Sequence, residues 1–205
     1  MTTSNGVDDE KRATLRRFAA LGAASPLAGL SESAAADTGE SDARDAIAGY
    51  LSTTPGAHFS KIRDDLQLGT GETQHHLRRL EELEVIERYR DGDYKRFVPA
   101  GRFDEFEKQV LGYLRRETPR GMLIELLRNP AATGGDLAAV LDVSPPTVSK
   151  YAGELEDEGL LSREDGYAVE RPETVLVLVV RHADSFGDAA RQLARNADQY
   201  LTYNG

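Results

Sequence analysis

Residues 60–98 carry the most regular pattern of apolar and polar positions in the chain. A short helix marked by Ile62 and Leu66 is predicted first, and a turn with glycine at positions 69 and 71 separates it from a longer helix. In the longer helix Thr73, Leu77 and Leu80 recur at steps of three and four residues, which places them on one buried face. The pattern therefore predicts two helices packed across a tight turn.

A β-hairpin is predicted directly after the second helix. Residues 85–90 and 94–98 are rich in β-branched and aromatic side chains. They flank the pair Asp91-Gly92, which is a strong short-range hairpin signal. Two helices followed by a hairpin in this order define a winged helix-turn-helix unit.

The same pattern recurs once, at a distance of 75 residues. Apolar positions of the first unit coincide with apolar positions of the second: Ile62 with Leu137, Leu66 with Leu141, Leu68 with Val143, Leu77 with Ala152, Leu80 with Leu155, Val85 with Leu160 and Ile86 with Leu161. Ser144 is placed as an N-cap with Pro145 at the first helical position, where its missing N–H loses no hydrogen bond. Asp165-Gly166 predicts the turn of a shorter wing. The chain is therefore predicted to hold two winged helix-turn-helix units.

The segments outside the repeat complete the predicted organisation. A flexible segment covers residues 1–40, the first unit covers 41–101, a linker helix covers 102–118, the second unit covers 119–171 and C-terminal helices cover 172–205. Thr118-Pro119 is predicted to end the linker helix, because proline disfavours the helical conformation in the residue before it. The predicted fold class is mainly α with small β-wings, an α+β arrangement.

The C-terminal segment is predicted to mediate dimerisation. One apolar stripe of its predicted helix comprises Leu176, Val179, Val180, Ala183 and Phe186. Val175 and Leu178 lie off this stripe, so the helix is apolar on more than one side. One side can cover the second unit and the other then needs a partner, which predicts a homodimer. The alternative is a tail that folds back over the linker helix and leaves a monomer.

Two interpretations of the N-terminal segment stay open. Arg16-Arg17-Phe18 precedes an apolar stretch and three alanines at 34–36, which resembles a twin-arginine export signal with a cleavage site. Pro26 interrupts the apolar stretch, and the phenylalanine follows the arginine pair directly. The other interpretation is an amphipathic helix over residues 10–22 followed by a disordered linker.

Composition and charge narrow the class of protein. The chain of 205 residues has 35 acidic and 25 basic side chains, a net charge of −10 and no cysteine. Only five of the basic residues are lysine, and this combination resembles the proteins of extreme halophiles. In molar salt the Debye length falls to about 3 Å, so the acidic surface does not exclude a polyanionic partner such as DNA. No run of 18 apolar residues exists, so no contact with a membrane through a spanning helix is predicted.

The two units differ in charge, and the first is the better candidate for reading DNA. Residues 41–101 carry nine basic and eleven acidic side chains, whereas residues 119–171 carry five and ten. Most of the basic residues in the first unit lie on its second helix and its wing. The candidate DNA-binding residues of the first unit are Thr70, Glu72, Gln74, His75, Arg78, Arg79, Arg88, Arg90, Lys95 and Arg96. Those of the second unit are Thr147, Ser149 and Lys150, which are placed to touch the DNA backbone.

These residue types fit the chemistry of duplex DNA. Arg78, Arg79 and His75 can donate to guanine or phosphate oxygens, and Gln74 can pair with adenine. In the alternative interpretation the two arginines only form ion pairs on a solvated face. The four basic side chains of the wing beside them favour DNA binding instead. His75 and His76 diverge by about 100° on a helix, so no metal site is predicted. No nucleophile–base pair or phosphate loop indicates an enzyme or a cofactor.

Two motifs extend these predictions through a resemblance. In the second unit, VSPPTVSKYAGELEDEGLLSREDG resembles the helix-and-wing motif of archaeal winged-helix regulators related to the ArsR and MarR families. In the first unit, LGTGETQHHLRRLEELEVIERYRDGDYKRF is similar to it as a divergent copy. The resemblance covers about residues 42–171 and implies a winged-helix transcriptional regulator that binds double-stranded DNA, which we expect in the cytoplasm. The alternative is a protein-interaction scaffold, as in the acidic accessory subunits of chromosome-condensing complexes.

Overall fold

The computed structural model describes residues 11, 13–20 and 38–200 of the chain. The chain divides into two compact units, Met1–Phe103 and Asp104–Gly205. Helices dominate both units and the sheets are small and antiparallel, so the predicted mainly α class with β-wings is confirmed. Among the described residues no helix combines the length and the apolar character needed to cross a bilayer.

The first unit contains the elements of a winged helix-turn-helix in the predicted order. They are helix α1 (Thr38–Thr53), strand β1 (Ala57–His58), helices α2 (Phe59–Asp65) and α3 (Thr70–Glu82), and strands β2 (Ile86–Asp91) and β3 (Tyr94–Pro99). The three strands form an antiparallel sheet in the order β1-β3-β2. Strand β3 is therefore the central strand of the sheet.

The buried face of α3 is the one that the sequence predicts. Thr73, Leu77 and Leu80 are each at most 4% exposed, and the Thr73 hydroxyl donates to the Gly69 carbonyl oxygen at 2.9 Å. Leu77 and Leu80 join a core that includes Ile47 of α1. Burying a leucine contributes about 1.5–3 kcal/mol, so this face decides which side of α3 turns outward.

The hairpin turn lies one residue later than predicted. Asp91 pairs with Tyr94 at the end of the ladder, so the loop residues are Gly92 and Asp93. Gly92 has a φ of +57° and Asp93 is outside the left-handed region, as in a type II′ turn, which takes glycine at its first central position. Asp91 remains in the strand because its carboxylate pairs with Arg96 on the same face of the sheet.

Residues 11 and 13–20 form a helical segment on the first unit, which we call the N-terminal helix. Leu15 is 8% exposed and belongs to the core of this unit, and the Phe18 ring meets the Tyr50 ring edge-on at 5.3 Å between centroids. These contacts favour the amphipathic-helix interpretation of the segment. The alanines of the predicted cleavage site, and most of the predicted flexible segment 1–40, lie outside the described residues.

The second unit repeats the winged helix-turn-helix between additional helices. Its elements are helices α4 (Glu105–Leu114), α5 (Glu117–Arg128), α6 (Gly134–Leu141) and α7 (Pro145–Asp157), strands β4 (Leu161–Ser162) and β5 (Ala168–Val169), helices α8 (Pro172–Arg181), α9 (Ala183–Phe186) and α10 (Asp188–Arg195), and a 3₁₀ turn (Ala197–Gln199). Strands β4 and β5 pair antiparallel through only two residues each, so the second wing is shorter, as predicted.

The 75-residue repeat extends to the backbone conformation. Helix α7 has the same length as α3 and begins 75 residues after it. Gln67 and Asp142, which are 75 residues apart, have φ angles of +55° and +51° after the first helix of each pair. Glu84 and Gly159 have φ angles of +53° and +67° after the second helix. The shared left-handed positions show that both units end these helices in the same way.

The predicted linker helix is shorter than the sequence suggests, and Thr118-Pro119 does not end it. Helix α4 begins after Asp104, whose carboxylate accepts the Glu107 backbone N–H at 2.7 Å, and the helix ends at Leu114. A new helix, α5, begins at Glu117 and contains Pro119 in its first turn. Proline is tolerated there because the first backbone N–H groups of a helix have no intrahelical acceptor.

The C-terminal helix α8 is covered by its own unit. Val175 and Leu178, which lie off the predicted stripe, are 0% and 1% exposed, because α8 packs against both α4 and α10. The inference that a second apolar side of this helix needs a partner is therefore wrong. Val177, at 45% exposed, is the large apolar side chain of α8 that faces outward.

Candidate nucleic-acid interface

Helix α3 presents a polar stripe on the side opposite the core. Gln74, His75 and Arg78 are all exposed, and their spacing of i, i+1 and i+4 places them on one side of the helix. Thr70, the first residue of α3, is also exposed. The buried face fixes the direction of these side chains, so the helix can enter a groove without moving relative to its core.

The two arginines of α3 differ in their surroundings. The Arg79 Nη1 lies 3.2 Å from the Glu82 Oε2, one turn along the helix. Arg78 forms no ion pair with another residue of the described chain. An exposed pair such as Arg79–Glu82 contributes about 0–1 kcal/mol, so a phosphate can displace Glu82, while Arg78 is available without any rearrangement.

Glu72 is part of the helix start and does not suit a DNA contact. Its Oε2 accepts the Gly69 backbone N–H at 3.0 Å and lies 3.2 Å from the Lys11 Nζ. Burial alone would raise the pKa of this carboxyl, but the hydrogen bond from Gly69 and the charge of Lys11 outweigh it and lower the pKa. Glu72 thus stays ionised as a cap, and this role does not suit its predicted contact with DNA. Lys11 is absent from the predicted set because no local pattern joins positions 61 residues apart.

Three of the basic side chains predicted to bind DNA from the wing share one face of the hairpin. The register pairs Arg90 with Lys95 and Arg88 with Phe97, which places these side chains on the same side of the sheet. Arg88, Arg90 and Lys95 are exposed. The Arg88 Nε lies 3.3 Å from the Glu81 Oε1 of α3, so this basic face adjoins the outward side of the helix.

Arg96 lies on the opposite face and is buried, a position that does not suit its predicted role as a DNA-binding residue. It is 2% exposed, its Nε donates to the Asp91 carboxylate, and its Nη1 donates to the Gly56 carbonyl oxygen at 3.0 Å. Its guanidinium carbon lies 5.2 Å from the centre of the Tyr94 ring. The cause is the pairing of β3 with β1, which places Arg96 on a central strand opposite His58.

The second unit offers a less basic helix. Ser149 and Lys150 are exposed, but Lys150 lies 3.7 Å from the Glu154 carboxylate. The Thr147 hydroxyl is half-buried and shares a hydrogen bond of 2.8 Å with the Ser144 hydroxyl at the start of α7. In the 75-residue repeat, Gly153 and Glu154 of α7 occupy the positions of Arg78 and Arg79 in α3.

The second wing is also acidic near its turn. The Nε of Arg163 donates to the Glu156 carboxylate at 2.7 Å, and this hydrogen bond lowers the pKa of Glu156. Glu164 and Asp165 follow Arg163 directly and are exposed. The basic side chain of this wing is therefore held by α7, and the carboxylates beside it face solvent.

The adjacent histidines of α3 lie in different environments. His75 is exposed, whereas His76 is 3% exposed and lies on the core side of the helix. Their rings meet nearly edge-on with 5.3 Å between centroids. The two side chains therefore leave the helix in different directions, as the helical geometry requires. Of the two, only His75 is positioned to meet a ligand outside the protein.

Two winged helix-turn-helix units, of which the first carries an exposed basic helix and wing, define a tandem helix-turn-helix regulator. A family model described as an N-terminal helix-turn-helix domain matches residues 41–111, and a model of the MarR family matches residues 118–171. Both are regulatory DNA-binding families, and the two matches support a DNA-binding regulator in general. No curated protein and no solved structure matches the chain.

Proposed function

We propose that the protein is a sequence-specific DNA-binding transcriptional regulator and that its first unit reads the DNA. The observation that carries this proposal is the exposed stripe Gln74, His75 and Arg78 beside the basic face of the wing. The major groove is about 12 Å wide and admits one α-helix. A winged helix presents one helix to this groove and its wing to the neighbouring phosphates.

The proposed contacts follow from the donor and acceptor patterns of the bases. Arg78 can make two parallel hydrogen bonds to O6 and N7 of guanine, and Gln74 can do the same with adenine. Arg90 and Lys95 supply charge to the phosphates from the wing, and the Thr70 hydroxyl can donate to a phosphate at the start of α3. Helix α3 therefore carries the specificity and the wing carries mainly affinity.

We further propose that the protein works in the cytoplasm of an archaeal halophile. The net charge of −10 and the low share of lysine among the basic residues support a halophilic origin. Phosphate contacts weaken as salt rises because each counterion released from the DNA gains less free energy when the bulk salt concentration is higher. Recognition in molar salt then depends on short-range hydrogen bonds to base edges, which is the contribution that Gln74 and Arg78 make.

Selection from a pool of random duplexes tests the proposed function. The full chain is immobilised in molar potassium chloride, and bound duplexes are amplified and sequenced over several rounds. We expect enrichment of a motif that contains at least one guanine essential for binding, because Arg78 is the strongest base donor on α3. Recovery of no motif above the starting pool would contradict the proposal.

A second candidate function has support from the second unit. In the 75-residue repeat, Glu154 of α7 and Asp165 of the wing occupy the positions of Arg79 and Arg90, so the face that would meet DNA carries carboxylates there. Asp157 and Glu164 are further exposed carboxylates of the same helix and wing. Such a face suits a protein partner better than a phosphate backbone. The protein can thus be a scaffold in which only the first unit touches DNA, and a selection experiment without enrichment would favour this alternative over the regulator.

We propose that the regulator is a homodimer, since MarR-family proteins commonly dimerise and a two-fold dimer presents two recognition helices to two half-sites. Val177 of α8 is the exposed large apolar side chain among the described residues of the tail, and a partner can cover it. Light scattering in high salt should give a dimer for the full chain and a monomer for Val177→Asp. Val140→Asp is the matched control, because Val140 is 60% exposed on α6. A monomeric wild type would contradict the dimer, and a dimeric Val177→Asp would contradict the tail interface.

A further inference from the structure

The N-terminal helix has a charge opposite to that of the chain as a whole. Among its nine described positions, Lys11 and residues 13–20, three are basic and none is acidic. Arg16 and Arg17 are exposed and form no ion pair with any residue in the described part of the chain. In a chain with ten more acidic than basic side chains, such a segment is suited to a polyanion.

Packing holds this helix against the unit that is proposed to read DNA. Lys11, Leu15 and Phe18 are spaced at four and three residues, so they lie on one face. Leu15 enters the core of the first unit and Phe18 contacts the Tyr50 ring. At the other end of this face the Lys11 Nζ lies 3.2 Å from the Glu72 carboxylate, in the first turn of α3.

The contact between Lys11 and Glu72 has an electrostatic consequence for DNA binding. Glu72 is ionised and lies at the start of the helix that carries Gln74 and Arg78, where a negative charge repels the approaching phosphates. Lys11 offsets this charge while Glu72 continues to cap the helix. Arg16 and Arg17 then add two positive charges about one and a half turns further along the N-terminal helix.

We propose that the N-terminal helix is a third element of the DNA interface, beside α3 and the wing. Lys11 neutralises Glu72 at the start of α3, and Arg16 and Arg17 contact phosphates that flank the bases read by α3. The inference rests on the proposed function of the first unit. Because phosphate contacts are independent of sequence, the helix raises affinity and leaves the base preference unchanged.

The double variant Arg16→Ala with Arg17→Ala tests the two phosphate contacts. Affinity of the full chain for the selected duplex is measured across potassium chloride concentrations in which circular dichroism shows the protein folded. We expect the slope of log affinity against log salt to become shallower by about 2, since each phosphate contact contributes about 0.9. The matched control is Arg181→Ala with Arg195→Ala, two exposed arginines of the second unit, which should leave the slope unchanged.

A second pair of variants tests the role of Lys11. Lys11→Ala should weaken binding by about threefold to tenfold, because the charge of Glu72 is then uncompensated. Adding Glu72→Gln should restore the affinity, since this change removes the negative charge itself. A loss that Glu72→Gln does not recover would exclude neutralisation as the function of Lys11.

The outcomes separate this inference from the proposed function. An unchanged salt slope for the Arg16 and Arg17 variant, with specific binding intact in the wild type, overturns the third element and leaves the regulator in place. Failure of the wild-type chain to enrich any duplex instead contradicts the proposed function. A shallower slope together with an unchanged selected motif supports the N-terminal helix as a phosphate-binding element.

Discussion

Replacing Arg78 and Arg79 together by alanine is expected to lower the affinity for the selected duplex by about 100-fold. A bidentate arginine contact to guanine contributes about 1–3 kcal/mol of discrimination, and each 1.4 kcal/mol is a factor of ten. Arg78 should account for most of the loss, because it is exposed without an ion pair among the described residues, whereas Arg79 already contacts Glu82. Fluorescence anisotropy with a labelled duplex in native-like salt measures this change.

The single variants and a control in the other unit make the prediction sharper. Arg78→Ala should also relax the preference for one base, whereas Arg79→Ala should weaken binding to all sequences alike. Lys150→Ala, on the corresponding helix of the second unit, should have little effect. If the double variant binds as the wild type does while Lys150→Ala abolishes binding, the second unit is the one that reads DNA.

Replacing Arg96 by methionine is expected to destabilise the first unit by about 3–5 kcal/mol. The change leaves the Asp91 carboxylate, whose side chain is 9% exposed, without its buried partner, and an uncompensated buried charge has a cost of this order. It also removes the donor to the Gly56 carbonyl oxygen, which joins β3 to the start of β1. Urea unfolding followed by circular dichroism, with hydrogen exchange of residues 86–99, measures the effect.

Two further variants distinguish the ion pair from general effects on the hairpin. Arg90→Met, at an exposed position of the same hairpin, should change the free energy of unfolding by no more than about 0.5 kcal/mol. Arg96→Met combined with Asp91→Asn should recover part of the loss, because no buried charge then remains unpaired. Equal effects of Arg96→Met and Arg90→Met would show that the buried pair does not hold the wing.

Arg96 of the wing shows where prediction from sequence stops. Alternation along a strand separates Arg96 from Lys95 and Phe97, but it does not show which face is enclosed. Charge alone placed Arg96 with Arg88 and Arg90 in the predicted site. The pairing of β3 with β1 over residues 57–58 determines that the face with Arg96 is enclosed. A strand of only two residues gives too weak a sequence pattern to predict its pairing with a strand 40 residues away.

Glu72 illustrates the same limit on helix α3. Helical periodicity correctly places it away from Leu77 and Leu80, and a capping role is a local feature that the residue order Gly69–Glu72 permits. Its contact with Lys11, however, depends on how the N-terminal helix packs through Leu15 and Phe18. The N-terminal sequence fits two interpretations, and only burial against the core favours one of them.

The sequence by itself determined the two winged helix-turn-helix units, their 75-residue spacing and the buried face of α3. These features depend on local periodicity and on apolar positions that recur, and burial of those side chains supplies most of the free energy that forms the elements. The tertiary structure alone decided that Arg96 is buried, that Lys11 meets Glu72 and that α8 is covered by α4 and α10. The physical reason is that such contacts join residues far apart in the chain, where the direction of each side chain depends on the packing of several elements together.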